Sequence, residues 1–457
     1  MAAIFTLIKK LLRRNKHEKL NIDERYIIPR PKHSISKTDI SANALKVLNR
    51  LNGAGYEAYL VGGSVRDLLV RKAPKDFDVA TNATPNQVRK LFRNSRIIGR
   101  RFKLVHILFH RDIIEVATFR ASQENDEQQM VNERGMLVRD NVYGNIHDDA
   151  WRRDFTINAL FYDVQHSAII DLTGGFADIQ SRTIRMIGDP DTRYKEDPVR
   201  MIRAIRFSAK LDFDIDPKTD KSIHVLAPTI THVSPSRLFD EIAKLYQCGA
   251  AQKVHYRMKD TGMFSALFPL VEAINSSLFP TMEALISIAL ENTDRRIHEE
   301  KPVNPAFLFA VFLWHPLLAK QKQLQSEGCD PLPALEQAMS YVITYQSQTI
   351  SIPKRFSMVI REIWLLQYRF TKRQGKRPFQ LMAHPRFRAA YDFLAIRALS
   401  GDENMELADW WTRFQDVSEV EQIHMIKTCS QEKPARKRRK RKKPAHKAEN
   451  VPVKTHE

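Results

Sequence analysis

The chain has 457 residues, of which 43% are hydrophobic, and it carries a formal net charge of +20. This length allows two to four domains of roughly 100–200 residues each, and so large a basic excess indicates a polyanionic partner, either nucleic acid or an anionic membrane. The three cysteines form no Cys-x-x-Cys pair, which argues against a disulfide framework or a zinc knuckle and is typical of the reducing cytoplasm.

Residues 1–40 are predicted to form a basic arm and linker. Apolar residues alternate with Lys and Arg from Met1 to Lys19, a stretch too short and too charged to span a membrane. We interpret it as a frayed basic helix; the alternative is an amphipathic segment that contacts a membrane surface or RNA. The longest apolar run elsewhere, Ala306 to Trp314, suits a buried helix, so no membrane span is predicted.

Residues 41–190 show mixed helix and strand patterns, with a first helix at 42–54 and a buried strand at Tyr59–Val61 that runs into Gly62-Gly63 and a second helix. Further strands are predicted at 77–80, 103–109 and 113–118, a helix at 85–92, a polar loop at 121–145, and structure again at 154–162. After about residue 191 strand signals nearly vanish. Long helices are predicted there at 198–211, 236–246, 305–315 and 386–398. The sequence therefore predicts an α+β fold, a small mixed-sheet head followed by an all-helical region.

The C-terminal tail differs in composition from the rest of the chain. Every residue from Arg436 to Lys443 is Lys or Arg. Such a run repels itself, so we expect disorder over 431–457, and it binds polyphosphates through counterion release. RNA contact is the favoured interpretation, and a merely solvated tail is the alternative.

Asp76 and Asp78 form the first chemical motif, within Lys75-Asp-Phe-Asp-Val79. In a strand, residues two apart project from the same face, so the two carboxylates are expected to lie side by side. They repel each other unless a cation lies between them, and Mg²⁺ prefers such oxygen ligands. An Asp-x-Asp pair is by itself only weak evidence of a metal site, so the neighbouring motifs decide the interpretation.

That context begins about ten residues upstream, where Leu60-Val-Gly-Gly-Ser-Val-Arg-Asp67 predicts a strand, a tight turn and a helix. Gly62 and Gly63 let backbone N–H groups approach a phosphate. We expect Ser64 to hydrogen-bond a phosphate oxygen and Arg66 to neutralise one. An ordinary strand–helix turn is the alternative.

Two basic clusters follow downstream. Arg152-Arg-Asp-Phe-Thr-Ile-Asn158 offers two guanidinium groups and a third carboxylate, Asp154. In Glu196-Asp-Pro-Val-Arg-Met-Ile-Arg-Ala-Ile-Arg206, Asp197 is the predicted N-cap and Pro198 the first helical residue. The arginines at 200, 203 and 206 recur every third residue and predict a cationic stripe that binds phosphates or a base; a surface ion-pair helix is the alternative.

The four motifs, in this order, resemble the class II nucleotidyltransferase family, which contains bacterial poly(A) polymerases and tRNA CCA-adding enzymes. The resemblance implies a catalytic head (41–190), a neck for nucleotide recognition and RNA binding (191–260) and a helical RNA-binding body (261–430). It implies that Asp76 and Asp78 hold Mg²⁺ while an RNA 3′-hydroxyl attacks the α-phosphorus of ATP without a template and pyrophosphate leaves. The nucleotide-binding residues that it implies are Gly63, Arg66, Arg153, Glu196, Asp197, Arg200, Arg203 and Arg206, to which the glycine turn adds Gly62 and Ser64.

Peripheral features resemble the poly(A) polymerase branch: Ile98-Gly-Arg-Arg-Phe-Lys-Leu-Val-His106, Arg373-Gln-Gly-Lys-Arg377, the N-terminal arm and the basic tail. This branch implies addition of AMP from ATP to RNA 3′ ends, a cytoplasmic monomer, and links to the RNA-decay machinery. A CCA-adding enzyme is the nearest alternative, because both branches share the catalytic motifs. A non-catalytic RNA-binding adaptor is the alternative from another class.

The third carboxylate has two candidates. Asp154 is the residue to which the family motif points, and we expect it to act with Asp76 and Asp78 in catalysis. Glu115 lies on a predicted strand and either faces the metal instead or is an exposed strand residue. His147-Asp148 mimics the dipeptide of metal-dependent phosphohydrolases, but the other spaced ligands of that class are not evident, so this interpretation is rejected.

Overall fold

The computed structural model describes residues 22–99, 103–110, 112–121, 142–274 and 277–431. The chain divides into two compact units, residues 1–361 and residues 362–457. The predicted N-terminal amphipathic segment, most of the polar loop at 121–145 and the Lys/Arg run of the tail lie outside the described residues. The predicted domain boundaries stay predictions.

The first unit contains a mixed sheet built from eight short strands. The strands are β1 (Ile27–Ile28), β2 (Ala58–Val61), β3 (Asp78–Thr81), β4 (Ser95–Ile98), β5 (Leu104–Phe109), β6 (Asp112–Thr118), β7 (Leu160–Asp163) and β8 (Ala168–Asp171). Their order across the sheet is β1-β8-β7-β2-β3-β6-β5-β4, with β3 and β6 parallel and the other neighbours antiparallel. This parallel pair brings residues 37 positions apart into register.

Helices cover the sheet because they present apolar stripes to it. In the first of them, Ala44, Val47, Leu48 and Leu51 are completely buried on one side, where the helix contacts β2, β3 and β6. The helices of this part of the chain are α1 (Ala42–Gly53), α2 (Gly63–Leu69), α3 (Pro85–Leu91), α4 (Ile146–Trp151) and α5 (Gly175–Gln180), and single 3₁₀ turns lie at Glu24–Tyr26, Arg30–Lys32, Lys37–Asp39 and Thr156–Asn158.

The rest of the first unit is almost wholly helical. A two-stranded parallel ladder, β9 (Thr183–Ile184) with β10 (Asp214–Ile215), is the exception among its described residues. The helices are α6 (Pro190–Glu196), α7 (Val199–Leu211), α8 (Pro217–Leu226), α9 (Pro235–Tyr246), α10 (Ala251–Asp260), α11 (Met263–Leu267), α12 (Pro269–Glu272), α13 (Met282–His298), α14 (Pro305–Phe312), α15 (Trp314–Ser326) and α16 (Pro331–Thr349), with a 3₁₀ helix at Ala227–His232.

The second unit is helical throughout its described residues. Its core is aromatic: Phe370 packs edge-on against Trp411 with ring centroids 5.0 Å apart, and the Trp411 indole N–H donates to the Phe370 carbonyl at 3.0 Å. The helix that spans the division is α17 (Lys354–Phe370), and those after it are α18 (Arg377–Met382), α19 (Phe387–Leu399), α20 (Met405–Asp416) and α21 (Glu419–Gln431). In the described ranges no helix is long and apolar enough to cross a membrane.

The predicted α+β class is confirmed, and the long helices begin and end within a few residues of their predicted bounds. The helix predicted at 305–315 is instead two helices, α14 and α15, which meet at Leu313. The strand predicted at 77–80 is wrong at its start: β3 begins at Asp78, so Asp76 lies in the preceding loop. The two-residue strand periodicity therefore does not place these carboxylates on one face.

Candidate active site

The site begins where β3 and β6 run side by side. Asp78 is the first residue of β3, and its Cα partner on the parallel strand β6 is Glu115. Asp76 precedes the strand by two residues, in the loop that leads into it. The carboxylate beside Asp78 in the sheet is thus that of Glu115, whose Oε2 also lies 3.4 Å from Nε2 of His106 on β5.

The electrostatics of Asp78 reflect this crowding. Burial, together with the negative charges of Glu115 and Asp76, raises the pKa of Asp78 to about 6, and the positive charge of Arg153 opposes this rise. Partly buried carboxylates that repel each other are stabilised by a cation between them. The chemistry of Asp76, Asp78 and Glu115 therefore suits a hard divalent cation. Among the described residues, no three or more His, Cys, Asp or Glu side chains are arranged as a ready metal site.

The glycine turn joins β2 to α2 next to these carboxylates. Gly62 has φ +72° and ψ −131°, a conformation that only glycine adopts readily, and an added Cβ would lie 3.4 Å from Nη1 of Arg153. Ser64 does not face the turn's open side. The residue is 2% exposed, and its hydroxyl donates to the Val61 carbonyl at 3.1 Å, so this proton is already used within the fold.

Arg66 links α2 to the turn at Thr156–Asn158. Its Nη1 donates to Oδ1 of Asn158 at 2.6 Å, while Nε and Nη2 donate to Oδ1 of Asp67 at 2.9 and 2.7 Å. The side chain is almost completely buried. Arg66 therefore connects the glycine-turn motif to the 152–158 motif through hydrogen bonds, although the two motifs are 92 residues apart in the sequence.

Arg153 is the arginine whose charge acts on Asp78. Its Nη2 and Nε donate to Oδ2 of Asp149 at 2.7 and 3.1 Å, and Nη1 donates to the Asn158 carbonyl at 3.3 Å. The guanidinium also lies 5.2 Å over the ring of Phe161 on β7. These contacts hold the cation at the end of the strands that carry the carboxylates.

Asp154 is bound to Arg203 and to its own turn. One carboxylate oxygen accepts from Nε of Arg203 at 2.6 Å and lies 2.5 Å from Nη2 of the same arginine. The other accepts from the Phe155 N–H at 2.9 Å and the Asn158 amide at 3.3 Å. Burial acts to raise the pKa of Asp154, but Arg203 and these hydrogen bonds outweigh it and lower the pKa to about 2. Asp154 is thus an ion-pair partner of α7, whereas the sheet register puts Glu115 beside Asp78.

The three arginines of α7 do not form one exposed stripe. Arg200 turns toward α6, where Nη1 donates to Glu196 at 2.8 Å and to the Arg193 carbonyl at 2.7 Å. Arg206 lies 3.9 Å from Glu241 on α9. Each step of three residues falls about 60° short of a full turn, so the three side chains fan toward different neighbours. Arg200 departs from the expected common stripe, whereas Arg203 and Arg206 share the ring of Phe207. The alternative of a solvated ion-pair surface is wrong, because the side chains of Arg200 and Arg206 are only 12% and 15% exposed.

Asp197 departs from its predicted position by one residue. Helix α7 begins at Val199 with Pro198 as its N-cap, and Asp197 ends α6. Its carboxylate still accepts the Val199 N–H at 3.3 Å, and Arg237 on α9 binds it through two hydrogen bonds of 2.9 and 2.7 Å. Arg237 was not predicted, since nothing in the sequence pairs residues 40 positions apart.

Two further residues were missed by the sequence analysis. Arg193 donates through Nη2 to the carbonyls of Arg152 and Arg153 at 2.7 and 2.8 Å, and burial lowers its pKa to about 10. Phe207 lies beneath three guanidinium groups of the site. An arginine outside the quoted motifs and an apolar helix position carry no sequence signal of their own.

Asp148 has a structural role. It forms a reciprocal capping box with Asn145 at the start of α4, with hydrogen bonds of 3.0 and 3.1 Å. His147 packs edge-on against Tyr26.

Of the stretch from Ile98 to His106, residues 100–102 lie outside the described residues.

Three family models match consecutive parts of the chain. Residues 58–185 match the poly(A) polymerase head domain, and residues 212–275 match the "probable RNA and SrmB-binding site of polymerase A". Residues 327–444 match the "polymerase A arginine-rich C-terminus". The first match contains the glycine turn, the paired carboxylates and the 152–158 cluster.

The relatives differ in how much of the chain they match. Poly(A) polymerase I of Salmonella typhimurium is 49% identical over 423 residues, which is 91% of each chain. A CCA-adding enzyme of Bacillus licheniformis is 34% identical over 229 residues, which is 50% of this chain and 56% of that one. A solved tRNA-processing enzyme in its apo form covers 86% of this chain and 98% of its own with a TM-score of 0.58 at 18% identity, which shows a shared fold. The resemblance stated from the motifs is confirmed: the chain belongs to the poly(A) polymerase I family.

Proposed function

We propose that the chain transfers AMP from ATP to the 3′ ends of RNA without a template and releases pyrophosphate. The observation that carries this proposal is the 49% identity to poly(A) polymerase I over 91% of both chains, against a match to CCA-adding enzymes that covers about half of the chain. The similarity includes the helical region beyond the shared head.

In this proposal, Asp76, Asp78 and Glu115 hold Mg²⁺. The support is the β3–β6 register and the mutual repulsion of these carboxylates, which is relieved by a divalent cation. Such an ion lowers the pKa of the RNA 3′-hydroxyl and balances charge on the phosphates. Asp154, first expected to be the third catalytic carboxylate, is assigned a different role here: it fixes Arg203, because both its oxygens are already engaged.

The arginines and the glycine turn bind ATP in the same proposal. The positive charge of Arg153 acts on the carboxyl group of Asp78, and Arg203 and Arg206 extend from α7. The Gly62 N–H already donates to the Leu160 carbonyl at 3.2 Å, so the backbone contact to the triphosphate is assigned to the Gly63 N–H. Arg66 supports the turn from behind, and the buried hydroxyl of Ser64 is not assigned a phosphate contact.

Base selection is assigned to Glu196, Asp197 and Arg200. Arg200 and Glu196 bind each other, and Asp197 is held by Arg237, so the three side chains have fixed orientations at the α6–α7 junction. Fixed donors and acceptors select a base by the cost of leaving a buried polar group unpaired. A template strand is then unnecessary.

RNA is retained by the regions at 212–275 and 327–444. The second of these has an excess of Lys and Arg over Asp and Glu, which suits a polyanion. A monomer in the cytoplasm that acts with the RNA-decay machinery is part of the proposal. Single-stranded A tails would give an exonuclease a starting point.

The test uses purified full-length chain, a short RNA and a tRNA that lacks its CCA end, each with one nucleotide at a time. Long extension with ATP alone supports the proposal, and addition of C, C and A followed by arrest contradicts it in favour of a CCA-adding enzyme. Asp78→Ala should abolish incorporation while RNA binding persists. The matched control is Asp214→Ala, an exposed carboxylate on β10; if both variants extend RNA normally, the site assignment is wrong.

A further inference from the structure

Phe207 on α7 lies at the centre of a cluster of guanidinium groups. The guanidinium carbons of Arg66, Arg206 and Arg203 lie 5.1, 5.2 and 5.4 Å from the centroid of its ring. Arg66 comes from α2, and the other two come from α7 itself. One apolar ring thus contacts cations from two of the sequence motifs.

Three like charges around one ring require compensation. Arg66 has the carboxylate of Asp67, and Arg203 has that of Asp154. The carboxylate nearest to Arg206, that of Glu241, is 3.9 Å away, too far for a hydrogen bond. The negative face of an aromatic ring attracts cations within about 6 Å. The ring of Phe207 therefore stabilises the charge of Arg206, which the carboxylate of Glu241 neutralises only weakly at this distance.

The ring itself is held in place. Phe207 is 9% exposed, and Phe155 packs edge-on against it with centroids 5.8 Å apart and an interplanar angle of 83°. Phe155 follows Asp154 directly, so the same turn that binds Arg203 also locks the ring. The ring therefore has little freedom to turn away from the cations.

We propose that Phe207 is a positioning residue for ATP, whose ring keeps Arg66, Arg203 and Arg206 in the arrangement that receives the nucleotide. This inference rests on the proposed function, in which Arg203 and Arg206 contact ATP. Phe207 itself forms no bond to substrate in this scheme. The ring holds the guanidinium groups close together before ATP binds, so less free energy is spent on ordering them and overcoming their mutual repulsion during binding.

The experiment compares three variants of the full-length chain. Phe207→Leu removes the aromatic face and keeps an apolar side chain, and Phe207→Tyr keeps the face. Phe213→Leu is the matched control, because Phe213 is also buried (5% exposed) just after α7 and no guanidinium stacking on it is described. For each, KM for ATP, KM for RNA, kcat and the melting temperature are measured.

We expect Phe207→Leu to raise KM for ATP about ten-fold, the size of one to three lost cation–π contacts, with kcat and KM for RNA changed less than about three-fold. Phe207→Tyr should keep KM for ATP near that of the unmodified chain, and Phe213→Leu should lower the melting temperature without raising KM. The inference is overturned if Phe207→Leu and Phe213→Leu have the same KM for ATP, or if Phe207→Tyr is as impaired as Phe207→Leu. Failure of the unmodified chain to add AMP would instead overturn the proposed function.

Discussion

Asp154 and Arg203 form an ion pair: Nε of the arginine donates to Oδ2 of Asp154 at 2.6 Å, and Nη2 lies 2.5 Å from the same oxygen. The pair joins the turn after α4 to the middle of α7. Because the carboxylate is also bound by its own turn, it orients a guanidinium group that α7 alone would leave free to rotate.

Asp154→Asn should therefore act on stability as well as on activity. We expect a loss of about 2–3 kcal/mol in the free energy of unfolding, since a partly buried arginine is left without its charged partner. Denaturant unfolding at neutral pH measures the loss. KM for ATP should rise more than kcat falls. A variant with full stability and a kcat reduced a thousand-fold would instead favour Asp154 as a catalytic carboxylate.

Glu115→Gln should have the opposite signature. The side chain is about 40% exposed, so we expect the melting temperature to change by less than about 2 °C. We expect kcat to fall at least a hundred-fold, because one charge of the cation site is lost. The measurement is AMP incorporation over a range of Mg²⁺ concentrations, where the variant should need more metal. His106→Gln, which alters the neighbour of Glu115, is the control and should change kcat by less than ten-fold.

Stability should fall on mild acidification because of His255. This imidazole is buried, bonds through Nδ1 to the Tyr246 hydroxyl at 3.2 Å and packs against Phe264 and Phe312. Burial lowers its pKa to about 4 from an ordinary value of 6.5. Between these two values the unfolded chain binds more protons than the folded chain, so stability is complete above pH 6.5 and is lost as the pH falls toward 4.

From pH 7 to pH 5 this loss should be about 2 kcal/mol. The check is denaturant unfolding at both pH values, for the unmodified chain and for His255→Gln. The variant should be less stable at pH 7 and show a smaller difference between the two pH values. Equal pH dependence in both proteins would show that other groups cause the effect.

Gly62→Ala should damage the glycine turn. The backbone at Gly62 has positive φ, and a Cβ there would lie 3.4 Å from Arg153 and 3.8 Å from the Asn158 carbonyl. We expect a cost of about 1–3 kcal/mol in unfolding free energy and a loss of activity from the displaced Arg153. Gly53→Ala is the matched control, because a Cβ there meets nothing within 4 Å at the end of α1; it should be neutral or stabilising. Similar losses in both variants would contradict this assignment.

Much of this organisation is visible in the sequence because it depends on local patterns. Apolar residues at helical spacing predicted the long helices of the second half, and Gly62-Gly63 predicted the turn that β2 and α2 form. The order of the carboxylate, glycine and arginine motifs was enough to identify the family. Short strands such as β4 and β8 were missed because four residues show too little alternation to separate a strand from a loop.

The roles of individual side chains were decided by the tertiary structure. Glu115 lies beside Asp78 because two strands 37 residues apart run parallel in register, and no local pattern contains that register. The arginines that seemed equivalent along α7 have different partners, since Glu196, Asp154 and Glu241 approach the helix from different directions. A sequence records which charges are available, but which pairs form depends on burial and distance, and these exist only after the chain has folded.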